Sequence, residues 1–313
     1  MTRYLAGRVA ALLPVLLAVG VTAFLLLHLI PGDPAAVILG PDASAAQVAR
    51  LRHALGLDRP LAVQLALWLG RLLRGNLGDS IFLRQTVAQA IWQHLGPTAG
   101  LTALAEMLAI GAAIPSGVLA AWKRHSRFDQ VFMSAVLLGV SIPSFWMGLN
   151  LIAVFAVAAR WFPVAGYESP LRGVGPWLRH LLLPALALAF TQAGLIARMA
   201  RDATIEILDE DYIRTARSKG VADAAVLLRH ALRNALIPTV TVIGTSLANL
   251  LSGAVVVESV FVLPGIGSLV IQSVSRRDYP VIEGVVLFAA AVYVLLNLAV
   301  DLLYAVIDPR VRY

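Results

Sequence analysis

Six long apolar stretches constrain this chain most, because each is long enough to cross a lipid bilayer as a helix. A spanning helix needs about 20 mostly apolar residues, since the hydrocarbon core is about 30 Å thick and a helix rises about 1.5 Å per residue. The third and fifth stretches are longer than this, so we expect those helices to be tilted or to protrude. The six stretches run over residues 9–30, 98–121, 131–159, 181–198, 236–262 and 284–307.

The composition excludes the soluble classes of protein. Of 313 residues, 59% are hydrophobic and only 14% are charged, whereas ordinary soluble domains carry about 25% charged residues. One soluble core cannot hide so much apolar surface, and disorder requires the opposite composition. The net charge of +7 is spread between the apolar blocks, a pattern typical of membrane orientation and lipid contact, not of nucleic-acid binding. The sequence therefore predicts an all-α integral membrane protein with six transmembrane helices.

The distribution of basic residues predicts that both termini lie in the cytoplasm. With the N-terminus inside, 14 lysines and arginines fall in the cytoplasmic segments and five in the two short outer loops. Positive residues are retained preferentially on the cytoplasmic side, and long loops weigh little in this comparison. An even number of spans agrees with this orientation.

Two connections between the spans are too long to be simple turns. The outer segment, residues 31–97, shows helical periodicity and predicts a small helical cap on the extracytoplasmic side, with a plain spacer as the alternative. The cytoplasmic loop, residues 199–235, predicts two short helices joined at Gly220, because three acidic residues at 209–211 mark a helix start. Its alternative is an inert charged loop. We therefore divide the chain into residues 1–94, a core of 95–307 and a cytoplasmic tail of 308–313.

Several catalytic motifs are missing from the sequence. Neither of the two lysines, Lys123 and Lys219, follows a glycine, so the chain has no G-x-x-x-x-G-K-[ST] loop for binding nucleotide phosphates. The H-E-x-x-H motif of zinc proteases and the G-x-S-x-G elbow of serine hydrolases are also missing. A proton-coupled secondary transporter stays open as an alternative, although Glu106 alone makes no carboxylate relay.

Six short strings, in order along the chain, resemble the permease subunits of ABC importers. The cytoplasmic loop reads Asp211-Tyr212-Ile213-Arg214-Thr215-Ala216-Arg217-Ser218-Lys219-Gly220 and then His230-Ala231-Leu232-Arg233-Asn234-Ala235-Leu236-Ile237-Pro238. It is similar to the coupling loop of these permeases, and specifically of the B-type subunit in the dipeptide, oligopeptide, nickel and glutathione group. The six strings outside this loop are Pro31-Gly32-Asp33-Pro34, Leu55-Gly56-Leu57-Asp58-Arg59-Pro60, Gly75-Asn76-Leu77-Gly78-Asp79-Ser80, Glu258-Ser259-Val260-Phe261-Val262-Leu263-Pro264-Gly265-Ile266-Gly267, Arg277-Asp278-Tyr279-Pro280-Val281-Ile282 and Asp308-Pro309-Arg310-Val311-Arg312.

The sequence departs from the wider ABC-permease pattern at two places. Arg214-Thr215-Ala216 stands where that pattern has Glu-Ala-Ala, and Arg233 replaces its usual proline, with a proline arriving only at Pro238. The peptide subgroup shares both departures. The outer loop at 160–179 is short and looks more like the glutathione or nickel branches.

The resemblance implies the type I ABC-importer permease fold in the inner membrane. It also implies four partner proteins: a second homologous permease, two ATP-binding cassette subunits that use ATP and Mg, and an extracytoplasmic substrate-binding protein. The chain itself would bind no cofactor and no metal, carry no catalytic residue and contact lipid but no nucleic acid. The expected substrate is a di- or oligopeptide, with nickel, a chelated metal or glutathione as alternatives.

The candidate site residues fall into two groups. For contact with the ATPase subunits we predict a short helix with a sharp turn at its end, in which Tyr212 and Ile213 form an apolar anchor for the partner. Its residues are Asp211, Tyr212, Arg214, Thr215, Ala216, Arg217, Lys219 and Gly220. Polar residues in or beside the spans could line a path or gate, or instead form interhelical hydrogen bonds and turns. These are Glu106, Asn150, Gln192, Asn249, Glu258, Arg277 and Asp278.

Overall fold

The computed structural model describes residues 2–29, 33–40, 42–54 and 56–307, and helices dominate these ranges. The predicted tail at 308–313 and the Pro31-Gly32 part of the first string lie outside the described residues. In chain order, the helices are α1 (Thr2–Leu29), α2 (Pro34–Leu39), α3 (Ala45–Ala54), α4 (Leu61–Leu72), α5 (Val87–Trp122), α6 (Arg127–Ser141), α7 (Ser144–Leu151), α8 (Val174–Leu208), α9 (Asp211–Ser218), α10 (Asp223–Ala225), α11 (Leu232–Val260), α12 (Ile266–Arg276) and α13 (Tyr279–Ile307). Wider π-helical turns follow α7 at Ile152–Ala158 and precede α11 at Val226–Ala231.

Four helices are long and apolar enough to span a membrane, and a bent pair raises this number to five. The four are α5, α8, the helix running through α10 into α11, and α13, while the bent pair is α6 with α7. Helices suit this role because every backbone polar group is satisfied within the segment, away from water. For α1, the apolar stretch with described side chains is Pro14–Leu26. The predicted count of six spans therefore stays a prediction.

The third apolar stretch is not one continuous helix. α6 ends at Ser141 and α7 begins at Ser144, with a bend of 99° between them. Pro143 has no N–H to continue the helical ladder, and it forces the preceding residue, Ile142, into an extended conformation (φ −86°, ψ 122°). The prediction of a single tilted or protruding helix at 131–159 is wrong here, because the break takes up the extra length.

The chain divides into two compact units. The first contains residues 1–96 and 265–294, and the second contains residues 97–264 and 295–313. The division into 1–94 and 95–307 made from the sequence stays a prediction. In the first unit, Trp68 of α4 packs against Phe24 of α1 with ring centroids 5.7 Å apart. The helices predicted after the first span are present as α2, α3 and α4, while their side of the membrane stays a prediction.

In the second unit, α8 is the central helix and packs against α6, α7 and α11. Its contact with α5 is close, because a Cβ atom added at Gly117 would lie only 2.4 Å from the carbonyl oxygen of Ala197. Only glycine permits this approach of the two backbones. The apolar core around α8 includes Leu101, Leu181, Leu188, Leu250, Val257 and Leu263. This packing sets the positions of both groups of candidate site residues.

Candidate functional site

The predicted coupling helix is present as α9, and a single side chain anchors it. Ile213 is completely buried in an apolar cluster, whereas the other residues of α9 are exposed except for the half-buried Ala216. The cluster also contains Val118, Leu208, Val226, Leu227 and Ala231. The prediction that Ile213 contacts a partner protein is wrong, because this residue packs into the core of its own chain. Tyr212 is exposed, and its contact with a partner protein stays a prediction.

Acidic residues mark the start of α9, as the sequence predicts. Glu210 occupies the N-cap position with extended backbone, and Asp211 lies in the first turn, where a negative charge favours the positive end of the helix dipole. Arg214 pairs with Asp211 at 3.1 Å, and its Nη2 donates a hydrogen bond to the carbonyl oxygen of Asp209 at 3.2 Å. These contacts fix where α9 begins relative to the end of α8.

The end of α9 depends on Gly220, whose backbone is left-handed with φ +77°. The N–H of Gly220 donates to the carbonyl of Arg217 at 2.9 Å, and the N–H of Val221 donates to that of Ala216 at 3.2 Å. This pair of bonds is the Schellman arrangement, in which a glycine turns the chain sharply away from the helix. Val221 and Ala216 both pack against the Ile213 cluster, so the turn and the anchor form one structure.

Side-chain contacts join α9 to the helices that follow it. The Asn234 amide donates to the Tyr212 hydroxyl at 2.8 Å, and Arg217 pairs with Asp223 at 3.2 Å across the Gly220 turn. Exposed pairs of this kind each contribute about 0–1 kcal/mol. They therefore orient α9, while the burial of Ile213 holds it. Lys219 is exposed and makes no ion pair with any described residue.

Glu106 and Gln192, two of the pathway candidates, meet inside the second unit. Ser246 of α11 donates to the Glu106 carboxyl of α5 at 2.6 Å, and the Gln192 amide of α8 lies 3.4 Å from the Ser246 carbonyl oxygen. Glu106 is only 7% exposed. The two side chains thus lie in a polar contact among three helices and not on an exposed face.

Asn150 and Asn249 are exposed, on α7 and α11 respectively. The Asn150 amide donates to the carbonyl of Trp146 one turn earlier, at 2.8 Å. Asn249 belongs to a row of exposed polar residues that we call the α11 polar face. Its members are Thr245, Asn249, Ser252 and Ser259, and the apolar Val256, 46% exposed, interrupts the row between the last two. The exposed positions in the middle of α8 are instead apolar, namely Leu186, Phe190 and Leu195.

The sequence analysis missed Thr245, Ser252 and Ser259. The signal was readable, since together with Asn249 they stand four, three and seven residues apart and so share one face of a helix. Each residue alone is small and unremarkable within an apolar span, and only the spacing separates this face from the rest of α11.

Glu258 belongs to the second unit, near the end of α11, whereas Arg277 and Asp278 belong to the first unit, at the end of α12. Glu258 is completely buried and accepts a hydrogen bond from the Thr98 hydroxyl. Arg277 caps the end of α12 in the left-handed conformation, with φ +56°. The neighbouring Asp278 is 2% exposed, so it is part of the interior of the first unit.

Asp278 brings together two of the six recognised strings. Its carboxylate accepts hydrogen bonds from the Ser80 hydroxyl, from the Ile81 N–H at 3.2 Å and from the Phe82 N–H at 3.4 Å. The gate role predicted for Asp278 stays a prediction, but these bonds give the residue a structural role in holding the loop after α4. Across the ranges that the structure describes, no three His, Asp or Glu side chains group closely enough to hold a metal ion.

The chain belongs to the family described as binding-protein-dependent transport system inner membrane component. Residues 113–313 match this family, and residues 1–101 match the N-terminal part that accompanies it. The family assignment confirms the resemblance stated from the sequence, and the chain is a permease subunit of an ABC transport system.

Named relatives cover the whole chain. A protein of Brucella abortus (strain 2308), named as a peptide transport system permease, is 48% identical over 100% of both chains. The dipeptide transport system permease of Alkalihalophilus pseudofirmus is 39% identical, and the glutathione transport system permease of Salmonella choleraesuis is 42% identical, each over 100% of both chains. These names describe the relatives.

A solved structure shows the same fold. An inward-facing form of the MetNI methionine ABC transporter matches 70% of this chain and 97% of its own chain, with a TM-score of 0.58 and 19% sequence identity. The likeness supports the helical permease fold.

Proposed function

We propose that this chain forms half of the translocation pathway of an ATP-driven importer for di- or oligopeptides. A second homologous permease would supply the other half, and an extracytoplasmic binding protein would deliver the substrate. Two ATP-binding cassette subunits would hydrolyse ATP with Mg and contact the loop at 211–238. The peptide class rests on relatives named as peptide and dipeptide permeases. Both termini then lie on the cytoplasmic side of the inner membrane.

The main support for the coupling role is that one buried side chain, Ile213, anchors α9 to the rest of the chain. An element that a soluble subunit displaces must offer an exposed surface to that subunit, and it must also be fixed to the membrane helices. α9 meets both needs, because Ile213 is buried against Val118 of α5 and the other residues, apart from Ala216, are exposed. Displacement of α9 is therefore passed to α5, α8 and α11, and the path between the two permeases opens to alternate sides.

The α11 polar face supports a pathway role for the exposed side of this helix. A side chain that faces lipid gains nothing from a hydroxyl or an amide, since hydrocarbon offers no hydrogen-bond partner. The apolar exposed positions of α8 fit a lipid contact, whereas Thr245, Asn249 and Ser252 fit a surface that meets water, substrate or the second permease. Glu106, buried behind this face, would hold α5 against α11.

Glutathione is a second candidate substrate. A glutathione permease is 42% identical over the full length, whereas the short loop at 160–179 agrees equally with the glutathione and nickel branches. Neither nickel, a chelated metal nor proton coupling has a comparable observation in its favour. Family membership points to a system with a separate binding protein, which a proton-coupled transporter does not need.

Copurification tests the importer proposal directly. We expect the tagged chain, extracted from its native membrane in mild detergent, to bring down a second multi-span permease and P-loop ATPase subunits identified by mass spectrometry. The purified assembly should hydrolyse ATP, and a copurifying binding protein should bind peptides or glutathione. Recovery of the chain alone, without ATPase activity, would contradict the proposal.

Cysteine labelling tests the pathway role of the α11 polar face. The chain contains no cysteine, so single cysteines can be placed at Thr245, Asn249 and Ser252 without removing native ones. We expect a water-soluble thiol reagent to modify these positions in the assembled transporter, because only a hydrated surface exposes a reactive thiolate. Substrate together with the binding protein and ATP should change the modification rate.

Matched controls for the labelling lie on α8. Cysteines at Leu186 and Phe190, which are also exposed but on an apolar face, should stay unlabelled by the water-soluble reagent in the membrane and react with it after denaturation in detergent. Equal reactivity at the α8 and α11 positions would remove the distinction between the two faces.

A further inference from the structure

An ion pair between the half-buried Arg201 and the buried Asp129 joins α8 to α6 before the start of α9. Arg201 of α8 donates from Nε to Oδ1 of Asp129 at 2.6 Å and from Nη2 to Oδ2 at 2.8 Å. The backbone N–H of His125 donates to the same Oδ2 of Asp129 at 3.1 Å. The Asp202 carboxylate accepts a hydrogen bond from Nη1 of Arg201 at 2.9 Å. Asp129 is 5% exposed. Two parallel bonds between planar groups fix orientation as well as distance.

A second ion pair connects the same region to the start of the coupling helix. Arg124, in the turn between α5 and α6, reaches both carboxylate oxygens of Asp209 at 2.8 Å. Asp209 is the C-cap residue of α8, and its carbonyl oxygen accepts the hydrogen bond from Arg214 of α9. The turn before α6 is therefore connected to α8 at Arg201 and to the point where α9 begins.

The rest of α6 packs closely against α8 up to Ser141, where the helix ends. A Cβ atom added at Gly194 of α8 would lie 3.2 Å from the carbonyl oxygen of Val136, and Gly139 of α6 lies against Phe190. Beyond Ser141 the chain bends by 99° into α7. α6 thus packs against α8 along its length, and the bend gives α7 a direction different from that of α6.

We propose that the Asp129–Arg201 pair transmits displacement of the coupling helix to α6, which makes both residues positioning residues for transport. This inference rests on the proposed function, since it requires that ATPase subunits act on α9. A neutral, well-packed pair serves stability about as well as a buried ion pair, so the distinctive contribution of the ionic pair is orientation. The break at Pro143 then lets α6 move with α8 while α7 follows separately.

The test is a double variant, Asp129→Asn with Arg201→Met, in the complete transporter reconstituted in proteoliposomes. The introduced asparagine keeps an acceptor for the His125 N–H, and the introduced methionine keeps most of the side-chain length without a donor. The helices therefore still pack while the ionic link is lost. We expect assembly and ATP hydrolysis to stay near the parent level and peptide uptake per ATP hydrolysed to fall about tenfold or more. Arg201→Lys, which keeps the charge but not the parallel bonds, should give an intermediate ratio.

The control is Arg198→Met, which removes a charge one turn earlier on the same helix. Among the residues that the structure describes, Arg198 pairs within α8 alone, with Asp202 at 3.7 Å, and it is exposed, so uptake per ATP should not change. Parent-like uptake in the double variant would overturn the inference and leave the proposed function intact. If the double variant does not assemble, parent-like uptake per ATP in Arg201→Lys overturns it equally. A parent assembly without ATP-driven uptake would instead refute the proposed function itself.

Discussion

Replacing Gly220 by valine is expected to reduce uptake by about tenfold or more while the chain still inserts and assembles. Gly220 has φ +77°, and a Cβ atom there would meet nothing within 4 Å, so the penalty comes from the backbone alone. A left-handed conformation costs a residue with a side chain about 1–2 kcal/mol, and a β-branched residue is a genuine outlier there. The chain relieves this strain by unwinding the end of α9, which moves the surface offered to the ATPase. Uptake and ATP hydrolysis in proteoliposomes measure the effect.

Gly220→Asn is the matched control, because asparagine enters the left-handed region at lower cost. Its uptake should lie between those of valine and the parent. Insertion is followed by membrane extraction, and assembly by copurification of the ATPase subunits. Normal uptake by the valine variant would show that the geometry of this turn does not matter for coupling.

Asp278→Leu is expected to destabilise the first unit by about 3–5 kcal/mol, the largest effect on stability that we foresee. Leucine offers no acceptor to the Ser80 hydroxyl or to the Ile81 N–H, and it leaves the Phe82 N–H with only its 3.3 Å bond to the Ser80 hydroxyl oxygen. Each buried donor left without a partner costs about 1–3 kcal/mol. The measurements are the Tm of the purified assembly and the rate of protease cleavage within residues 79–86.

Asp278→Asn keeps one acceptor oxygen at nearly the same size and should lower the Tm much less than leucine does. Ser80→Ala removes the donor to Asp278 and also the acceptor of the Leu83 N–H at 2.8 Å and of the Phe82 N–H at 3.3 Å, so it should lower the Tm by an intermediate amount. A leucine variant with the parent's Tm and protease resistance would mean that the loop is held by other contacts, and Asp278 would return to its predicted role as a gate.

The sequence places four long apolar helices where the structure has them, because the membrane imposes a strict requirement on length and polarity, while the count of six spans stays a prediction. It does not predict which proline breaks a helix. Pro115, Pro184 and Pro238 all lie inside continuous helices, whereas Pro143 separates α6 from α7. Neighbouring helices can satisfy the carbonyls freed by a proline, so the outcome depends on packing that hydropathy does not contain.

The candidate site was predictable in outline. Acidic residues at 209–211 and the glycine at 220 mark both ends of α9 correctly, since capping and left-handed turns have local signals. The burial of Ile213 has no such signal, because one apolar residue on a short helix can face a partner or its own core. The Ser80–Asp278 contact joins residues 198 positions apart, and no local pattern brings them together.

Because one side chain anchors α9, the eight residues of this helix divide into those that folding needs and those that form the outer surface. Folding depends on Ile213 and the terminal glycine, and the other positions, apart from the half-buried Ala216, have little part in the interior. Substitutions on this outer surface are therefore expected to be nearly neutral for the stability of the permease, and under the proposed function they would change the surface that an ATPase contacts. A permease built in this way can exchange one ATPase partner for another through surface changes alone, without rebuilding the membrane helices beneath.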